Sequence, residues 1–210
     1  MSEFKDMSND YLKKMYVPDV YQPSIHSIDF AKLRAHGITV ISFDIDDTIA
    51  PASVLKNPPK STIVKFAELK EMGFKLILLT NHRSKKRAEH YEKVLGIPCI
   101  AKAQKPSTTN FEKIQALFNV KKEQMAHVGN SMTRDVAGGN SFGATTCLVR
   151  DMGMATEIGN KIRGNFGVKS SGQKLRKIML KRDIWRKHHK YEDGDQYYQL
   201  GETPKYQRGE

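Results

Sequence analysis

Apolar, strand-like segments alternate with helix-like segments through the middle of the chain, and this alternation constrains the fold more than any other feature. Strand-like segments are predicted at residues 38–43, 75–79, 98–101, 124–128 and 145–149. Apolar periodicity and capping residues predict helices at 60–72, 84–95, 107–118 and 133–142. Such alternation implies right-handed crossovers and a parallel sheet covered on both faces. We therefore predict an α/β fold with a doubly wound, Rossmann-like parallel sheet.

Polar residues follow four successive strands of this predicted sheet. They are Asp44 and Asp46, then Thr80 and Asn81, then Lys105, and finally Asn130 with Asp135. In doubly wound sheets, ligands bind at the carboxyl ends of the strands, near a switch in strand order. Each residue alone has an ordinary structural explanation, such as a cap or a solvated turn. Four groups in this order, one for each strand end, predict a functional site.

The residue types of this set point to phosphoryl transfer. Asp44 and Asp46 stand two residues apart at a strand end, an arrangement that is costly unless a cation lies between them. Mg²⁺ is the expected cofactor, because it takes hard oxygen ligands and accepts water and substrate phosphate as further ligands. The Thr80 hydroxyl, together with main-chain N–H groups, can hold a phosphate oxygen, and Lys105 can neutralise developing charge.

These segments also resemble the four motifs of the haloacid dehalogenase superfamily of aspartyl phosphotransferases. The matching stretches are residues 44–48, 79–81, 105–106 and 128–135. Within the superfamily the chain is most similar to the YqeG-type phosphatases of subclass IIIA, on the evidence of residues 16–21, 24–25, Pro51, 95–98 and 133–140. The resemblance covers about residues 37–150 and extends back to about residue 16. It implies a superfamily core without a large cap domain.

The resemblance also implies a role for each residue of the set. Asp44 is expected to be the nucleophile that forms an aspartyl-phosphate, and Asp46 the acid that protonates the leaving group and then activates water. The expected phosphate-binding residues are Thr80, Asn81 and Lys105, with Lys105 also counted as catalytic. The expected metal ligands are Asp44, Asp46, Asp135 and Asn130.

The fourth motif departs from the family pattern at Asn130. Members of this type usually carry Gly-Asp where this chain has Gly129-Asn130. An amide oxygen can still bind Mg²⁺, but the loss of one negative charge beside a divalent cation weakens that binding. A catalytically weakened protein that keeps the fold for binding is therefore an alternative to an active phosphatase.

The spacing of the motifs bears on the size of the substrate. The segments that separate Asp44 from Thr80, and Thr80 from Lys105, are each about as long as one crossover helix with its loops. Segments of this length leave no room for a separate cap domain, so we expect an open crevice. An open crevice suits a phosphate on a bulky molecule. The resemblance implies a phospholipid head group such as that of phosphatidylglycerophosphate. The alternatives are the phosphorylated end of a nucleic acid and a phosphoprotein.

The positive charge is concentrated near the end of the chain. The formal net charge is +12, and residues 161–190 contain eleven Lys or Arg but only one acidic residue, Asp183. Such a block suggests a polyanionic partner, namely an anionic membrane surface or a nucleic acid. A charged helix that packs its apolar residues on the core and shows its charges to water is the alternative.

These observations give an expected organisation of the chain. We expect an N-terminal arm on the core at 1–36, the phosphatase core at 37–155, a basic helical extension at 156–190 and a flexible tail at 191–210. The sequence has no apolar run of a length that could span a bilayer, and it begins with a polar segment. We expect a cytoplasmic protein without a transmembrane segment, with peripheral association at the inner face of the membrane as a further option.

Overall fold

The computed structural model describes residues 4–52, 57–82, 85–150, 171–182, 184 and 197–202. Six strands form one sheet in the order β1-β6-β5-β2-β3-β4, and every neighbouring pair is parallel. The strands are β1 Val20–Gln22, β2 Val40–Phe43, β3 Lys75–Leu79, β4 Cys99–Ile100, β5 Met125–Gly129 and β6 Thr145–Val149. The predicted α/β class with a parallel sheet is confirmed.

Helices connect these strands. The α-helices of the described residues are α1 Asn9–Tyr16, α2 Phe30–Ala35, α3 Lys60–Glu71, α4 Lys85–Leu95, α5 Thr109–Phe118, α6 Ala137–Phe142 and α7 Ser171–Lys181. A π-helical turn, Met132–Val136, precedes α6, and short 3₁₀ turns occur at Ile25–Ser27 and Lys122–Gln124. The connections from β3 to α4 and from β4 to α5 are short, so no cap domain is inserted at either place among the described residues.

The two faces of the sheet are both buried. All four residues of the central strand β2 are buried, as expected for a parallel strand covered on both sides. Ile41 and Phe43 belong to one apolar cluster, in which the rings of Phe43 and Phe66 lie 4.8 Å apart. Val40 belongs to a second cluster with Phe111 of α5. The alternation along β2 therefore divides its side chains between two apolar layers.

The structure adds elements that the sequence analysis did not predict. The strand β1 pairs with β6, with Val20 opposite Cys147 and Gln22 opposite Val149, and becomes an edge of the sheet. Three residues are too few to show the alternation by which a strand is recognised in a sequence. The short helices α1 and α2 were missed for the same reason, although Ser8 and Asp29 cap them with side-chain hydrogen bonds.

Residues 197–202 of the predicted tail, 191–210, lie on the sheet edge, and the rest of that tail, 191–196 and 203–210, is outside the described residues. Tyr198 is buried and pairs in antiparallel fashion with Tyr21 of β1 through two main-chain hydrogen bonds of 2.9 and 3.0 Å. Its hydroxyl donates to the Pro18 carbonyl oxygen at 2.8 Å. Gln199 donates to the Ser27 carbonyl oxygen at 2.8 Å. Tyrosine side chains carry enough apolar surface to bring this polar segment onto the sheet edge.

Helix α7 packs its apolar side on the core. Leu175 and Met179 are fully buried, and they belong to a cluster with Met132 and Val136 of the π-helical turn. The exposed residues of α7 include Lys174, Lys177 and Lys181, which share one side of the helix at a spacing of three to four residues. The remaining predicted extension, 156–170 and 185–190, lies outside the described residues. No helix in the described part of the chain has the length and apolar character needed to cross a membrane.

Replacing Met179 by alanine tests this packing. We expect Met179→Ala to lower the free energy of unfolding by about 2–5 kcal/mol, because it leaves a cavity under the helix. Lys177→Ala, two residues away on the exposed side, should change it by no more than about 0.5 kcal/mol. Urea unfolding followed by circular dichroism measures both. Equal stability of the two variants would mean that α7 does not pack on the core.

Candidate active site

A cleft lies at the carboxyl edge of the sheet, where the neighbouring strands β3, β2 and β5 end. Its volume is about 220 Å³, and it is lined by Asp44, Asp46, Thr80, Asn81, His82, Lys105, Arg134 and Asp135. The structure therefore brings together the sequence-predicted residues of all four motifs, with Asn130 just outside the lining. Their catalytic and metal-binding roles stay predictions.

The Lys105 ammonium lies at the centre of the site. Its Nζ is 2.8 Å from Oδ1 of Asp44 and 2.6 Å from Oδ1 of Asp135. It also donates to the Leu79 carbonyl oxygen at 2.6 Å. All three side chains are almost completely buried. One buried cation is thus shared by two buried carboxylates, and its three N–H donors each have a partner.

In this arrangement, the pKa values of Asp44 and Asp135 shift in opposite directions. Burial raises the pKa of Asp44 to about 6, although the attraction of Lys105 opposes the shift. Burial would also raise the pKa of Asp135, but Lys105 and a hydrogen bond from His127 more than offset it and hold the pKa below its usual range. The pKa of Lys105 is raised, because the two carboxylates outweigh the effect of burial. Asp135 is therefore the more strongly ionised member of the pair.

Asp135 is anchored from behind by residues that the sequence analysis did not identify. His127 of β5 lies 3.2 Å through Nε2 from Oδ1 of Asp135, and its Nδ1 lies 2.8 Å from the Ser42 hydroxyl. The Ser131 N–H donates to Oδ2 of Asp135 at 2.9 Å. Burial lowers the pKa of His127, so we assign a neutral ring that donates from Nε2 and accepts from Ser42. The contact with Asp135 is accordingly a hydrogen bond rather than an ion pair.

Gly129 provides the space for the Asp135 side chain. A Cβ atom at this position would lie 2.3–2.5 Å from the Cγ, Cβ and Oδ2 atoms of Asp135. No side chain fits at that distance. Close packing against Asp135 therefore explains why the fourth motif has a glycine at position 129.

Asn81 lines the cleft and is hydrogen-bonded to the main chain of Lys105. Its Oδ1 accepts a hydrogen bond from the Lys105 N–H at 2.8 Å, and its Nδ2 donates to the Lys105 carbonyl oxygen at 3.0 Å. Both ends of the amide are thus occupied by the Lys105 main chain. The Asn81 side chain therefore supports the Lys105 main chain, and the phosphate-binding role predicted for Asn81 stays a prediction. Thr80 is buried at the cleft wall, and its hydroxyl accepts from the His82 N–H at 3.1 Å.

Asn130 reaches the site through Thr48. The Thr48 hydroxyl is buried, 3.5 Å from Oδ2 of Asp44 and 3.4 Å from Oδ1 of Asn130. With one proton, the hydroxyl donates to one of these oxygens at a time. The Thr48 hydroxyl therefore lies between Asp44 and Asn130, and the predicted role of Asn130 as a metal ligand stays a prediction.

Asp46 lies on a tight turn that follows β2. The Asp47 N–H donates to the Ala50 carbonyl oxygen at 2.8 Å, and Asp47 has a positive φ of 60°. The Asp46 side chain remains about a quarter exposed and forms an ion pair of 3.0 Å with Arg87 of α4. Sequence reasoning missed Arg87, because an arginine in a charged helix gives no signal of its own.

The donor groups fit Mg²⁺. Among the described residues, no three His, Cys, Asp or Glu side chains form a group that could hold a metal ion alone. Mg²⁺ does not require such a cage, since one or two carboxylates complete its shell with water and substrate phosphate. Asp44 and Asp135 supply two carboxylates at the same cleft, each in contact with the Lys105 ammonium. Hard oxygen donors of this kind suit magnesium.

Two comparisons with known proteins decide the family. The model of the haloacid dehalogenase-like hydrolases matches residues 56–143. The chain is also 33% identical over 138 residues to the probable phosphatase YqeG of Bacillus subtilis, which is 66% of this chain and 79% of that protein. The chain belongs to the haloacid dehalogenase-like hydrolases. The predicted membership and the predicted enzyme class, a phosphatase of this superfamily, are confirmed.

Two further comparisons, with one protein sequence and one crystal structure, give lower identities to this haloacid dehalogenase-like hydrolase. The chain is 26% identical over 147 residues to phosphatidylglycerophosphate phosphatase 1, chloroplastic, of Chlamydomonas reinhardtii. That match covers 67% of this chain but only 55% of the relative. A crystal structure of 3-deoxy-D-manno-octulosonate 8-phosphate phosphatase from Moraxella catarrhalis, in complex with magnesium ion, phosphate ion and a KDO molecule, has a TM-score of 0.44 and 15% identity. It covers 63% of this chain and 91% of that one.

Replacing Gly129 by alanine tests the anchoring of Asp135. The new methyl group must displace the Asp135 side chain, so we expect phosphatase activity per folded molecule to fall by about 10–100-fold. The overpacking should also lower the free energy of unfolding by about 1–3 kcal/mol.

Gly139→Ala is the matched control for this variant. A Cβ there would lie 2.4 Å from Cγ2 of Thr146, outside the cleft. This variant should lose similar stability while keeping its rate per folded molecule. The two rates, measured well below both melting temperatures, separate the effects. An equal loss of rate in both variants would contradict the anchoring role of Gly129.

Proposed function

We propose that this hydrolase is a Mg²⁺-dependent phosphomonoesterase that works through an aspartyl-phosphate on Asp44. The observation that carries the proposal is the position of Lys105, 2.8 Å from Asp44 and 2.6 Å from Asp135 at the floor of an open cleft. A buried lysine beside a buried carboxylate can hold a phosphoryl group against a nucleophile. Thr80 lies in the wall of the same cleft, where a phosphate oxygen would be received.

The reaction proceeds in two in-line displacements. Asp44 attacks phosphorus, the bond from phosphorus to the leaving oxygen breaks, and Asp46 gives its proton to that oxygen. Asp46 then takes a proton from water, whose oxygen attacks the aspartyl-phosphate and releases inorganic phosphate and free Asp44. Asp44, Asp135 and the main-chain carbonyl of Asp46 would hold a Mg²⁺ ion, which would supply charge neutralisation. The Asn130 amide would affect this centre through the Thr48 hydroxyl, which contacts both Asn130 and Asp44.

Asp44→Asn tests the nucleophile. The amide is nearly isosteric with the carboxylate but cannot form the acyl phosphate, so we expect phosphate release to be abolished while the circular dichroism spectrum is unchanged. Chelation of divalent metal should abolish wild-type release, and added Mg²⁺ should restore it. Undiminished release by the variant would exclude Asp44 as the nucleophile. A wild-type protein that releases no phosphate from any phosphomonoester would instead favour the weakened binding protein.

We propose a phospholipid head group as the substrate. Among the described residues, the cleft is only partly enclosed, and no domain there would cover a small metabolite. One relative is named as a phosphatidylglycerophosphate phosphatase, which agrees with a lipid substrate. The proposed location is the cytoplasmic face of a membrane. Nucleic acid ends and phosphoproteins are the alternatives that a phosphate-release screen across these substrate classes would reveal.

The exposed lysines of α7 support recruitment to an anionic membrane. Lys174, Lys177 and Lys181 point away from the buried Leu175 and Met179. Because the apolar side of α7 is packed on the core, the contact with head groups would be electrostatic and would not require insertion. The helix also contacts the π-helical turn that carries Asp135, which keeps this basic surface near the cleft.

Neutralising these lysines tests the recruitment. The triple variant Lys174→Ala, Lys177→Ala, Lys181→Ala should bind vesicles of anionic lipid roughly 10–100-fold more weakly, at about 1 kcal/mol or less for each charge. Its rate on 4-nitrophenyl phosphate should stay unchanged. The control replaces Lys60, Lys93 and Lys113, which are exposed on other helices. Equal vesicle binding by both triple variants would argue against α7, and loss of nucleic acid binding alone would favour the nucleic acid alternative.

A further inference from the structure

Arg87 connects two parts of the chain that meet at the cleft. It lies on α4, which follows β3, and its side chain is only 6% exposed. NH2 is 3.0 Å from Oδ1 of Asp46, and NH1 donates to the Ala52 carbonyl oxygen at 3.0 Å. NH2 also lies 3.5 Å from the Pro51 carbonyl oxygen, and the guanidinium stacks over the Tyr91 ring at 5.3 Å. The guanidinium thus holds both ends of the turn that follows β2.

These contacts fix a side chain that otherwise has freedom to move. The Asp46 side chain is 26% exposed, so water alone could solvate its carboxylate in several orientations. The planar guanidinium forms an ion pair with this carboxylate and a hydrogen bond with a main-chain oxygen of the same turn, which limits the orientations of both. Hydrogen bonds to the carbonyl oxygens of the turn do not by themselves require the additional contact between Arg87 and Asp46.

We propose that Arg87 is a positioning residue for Asp46, which it orients toward the leaving-group oxygen of the substrate. The inference rests on the proposed function, since it takes Asp46 as the acid. Arg87 does not line the cleft, and it acts on the reaction through Asp46. When the bond between phosphorus and the leaving oxygen breaks, the proton of Asp46 goes to that oxygen, and a displaced carboxyl group delivers it late.

The dependence of the reaction rate on the leaving group tests this role of Arg87. An alkoxide is a strong base and needs the proton during bond breaking, whereas 4-nitrophenolate leaves readily without it. Benzyl phosphate and 4-nitrophenyl phosphate have similar size but differ in this respect. Loss of correct positioning should therefore slow the benzyl ester selectively, while a general loss of folded structure or of phosphate binding would slow both esters alike.

The experiment measures kcat/KM for both esters in Arg87→Met, with Lys86→Met, at an exposed position beside it, as the matched control. We expect Arg87→Met to lower kcat/KM for benzyl phosphate by about 10–100-fold and to leave that for 4-nitrophenyl phosphate near wild type. Lys86→Met should change neither value. Equal losses for both esters, or no loss, would overturn the inference.

Further variants separate this inference from the proposed function. Asp46→Asn should show the same selective loss, and adding Arg87→Met to it should bring no further selectivity. If Asp46→Asn shows no selectivity, the assignment of the acid is wrong and the inference falls with it. If Asp46→Asn is selective and Arg87→Met is not, only the inference is wrong. Arg87→Lys keeps the positive charge but cannot hold Asp46 and Ala52 together, so it should show a selective loss even if Arg87→Met does not fold.

Discussion

The site depends on one buried cation shared by two buried carboxylates. Removing a charged group from water is costly unless opposite charge and hydrogen bonds replace the water. Lys105 satisfies this requirement for Asp44 and Asp135 simultaneously, and the Leu79 carbonyl takes its third donor. Since the ammonium has no free donor, an arriving phosphate oxygen must replace one of these bonds. In the proposed reaction, a contact between the substrate phosphate and Lys105 therefore replaces one of the contacts that stabilise this charged centre.

The surrounding residues keep this charged centre in place. Asn81 holds the main chain of Lys105 at both its N–H and its carbonyl oxygen. His127 and Ser42 form a buried chain that connects Asp135 with the strand preceding Asp44. Such supporting contacts are what orient functional carboxylates in most metal-dependent sites. The cleft is therefore a hydrogen-bonded arrangement built on strand ends and on the turns that follow them.

Much of this could be predicted from the sequence, and the omissions have physical causes. The strand-like segments at 38–43, 75–79 and 145–149 are recognisable because buried parallel strands are continuously apolar. The motif residues could be located because each follows such a strand. His127 lies inside a strand, and its role depends on β5 bringing it against Asp135, which spacing alone does not reveal. Arg87 and Asn81 likewise have roles set by partners distant in sequence. The pairing of Tyr198 with Tyr21 joins segments from opposite ends of the chain and has no local signal.

The pairing of Tyr198 with Tyr21 bears on contacts between two copies of the molecule. The edge of a sheet presents unpaired main-chain N–H and carbonyl groups, to which a strand from a second molecule can add. At the β1 edge, the main-chain groups of Tyr21 that face outward are already bonded to Tyr198. At the opposite edge, β4 is only two residues long. Within the described part of the chain, neither edge offers a long, unpaired strand, the feature that favours edge-to-edge strand addition.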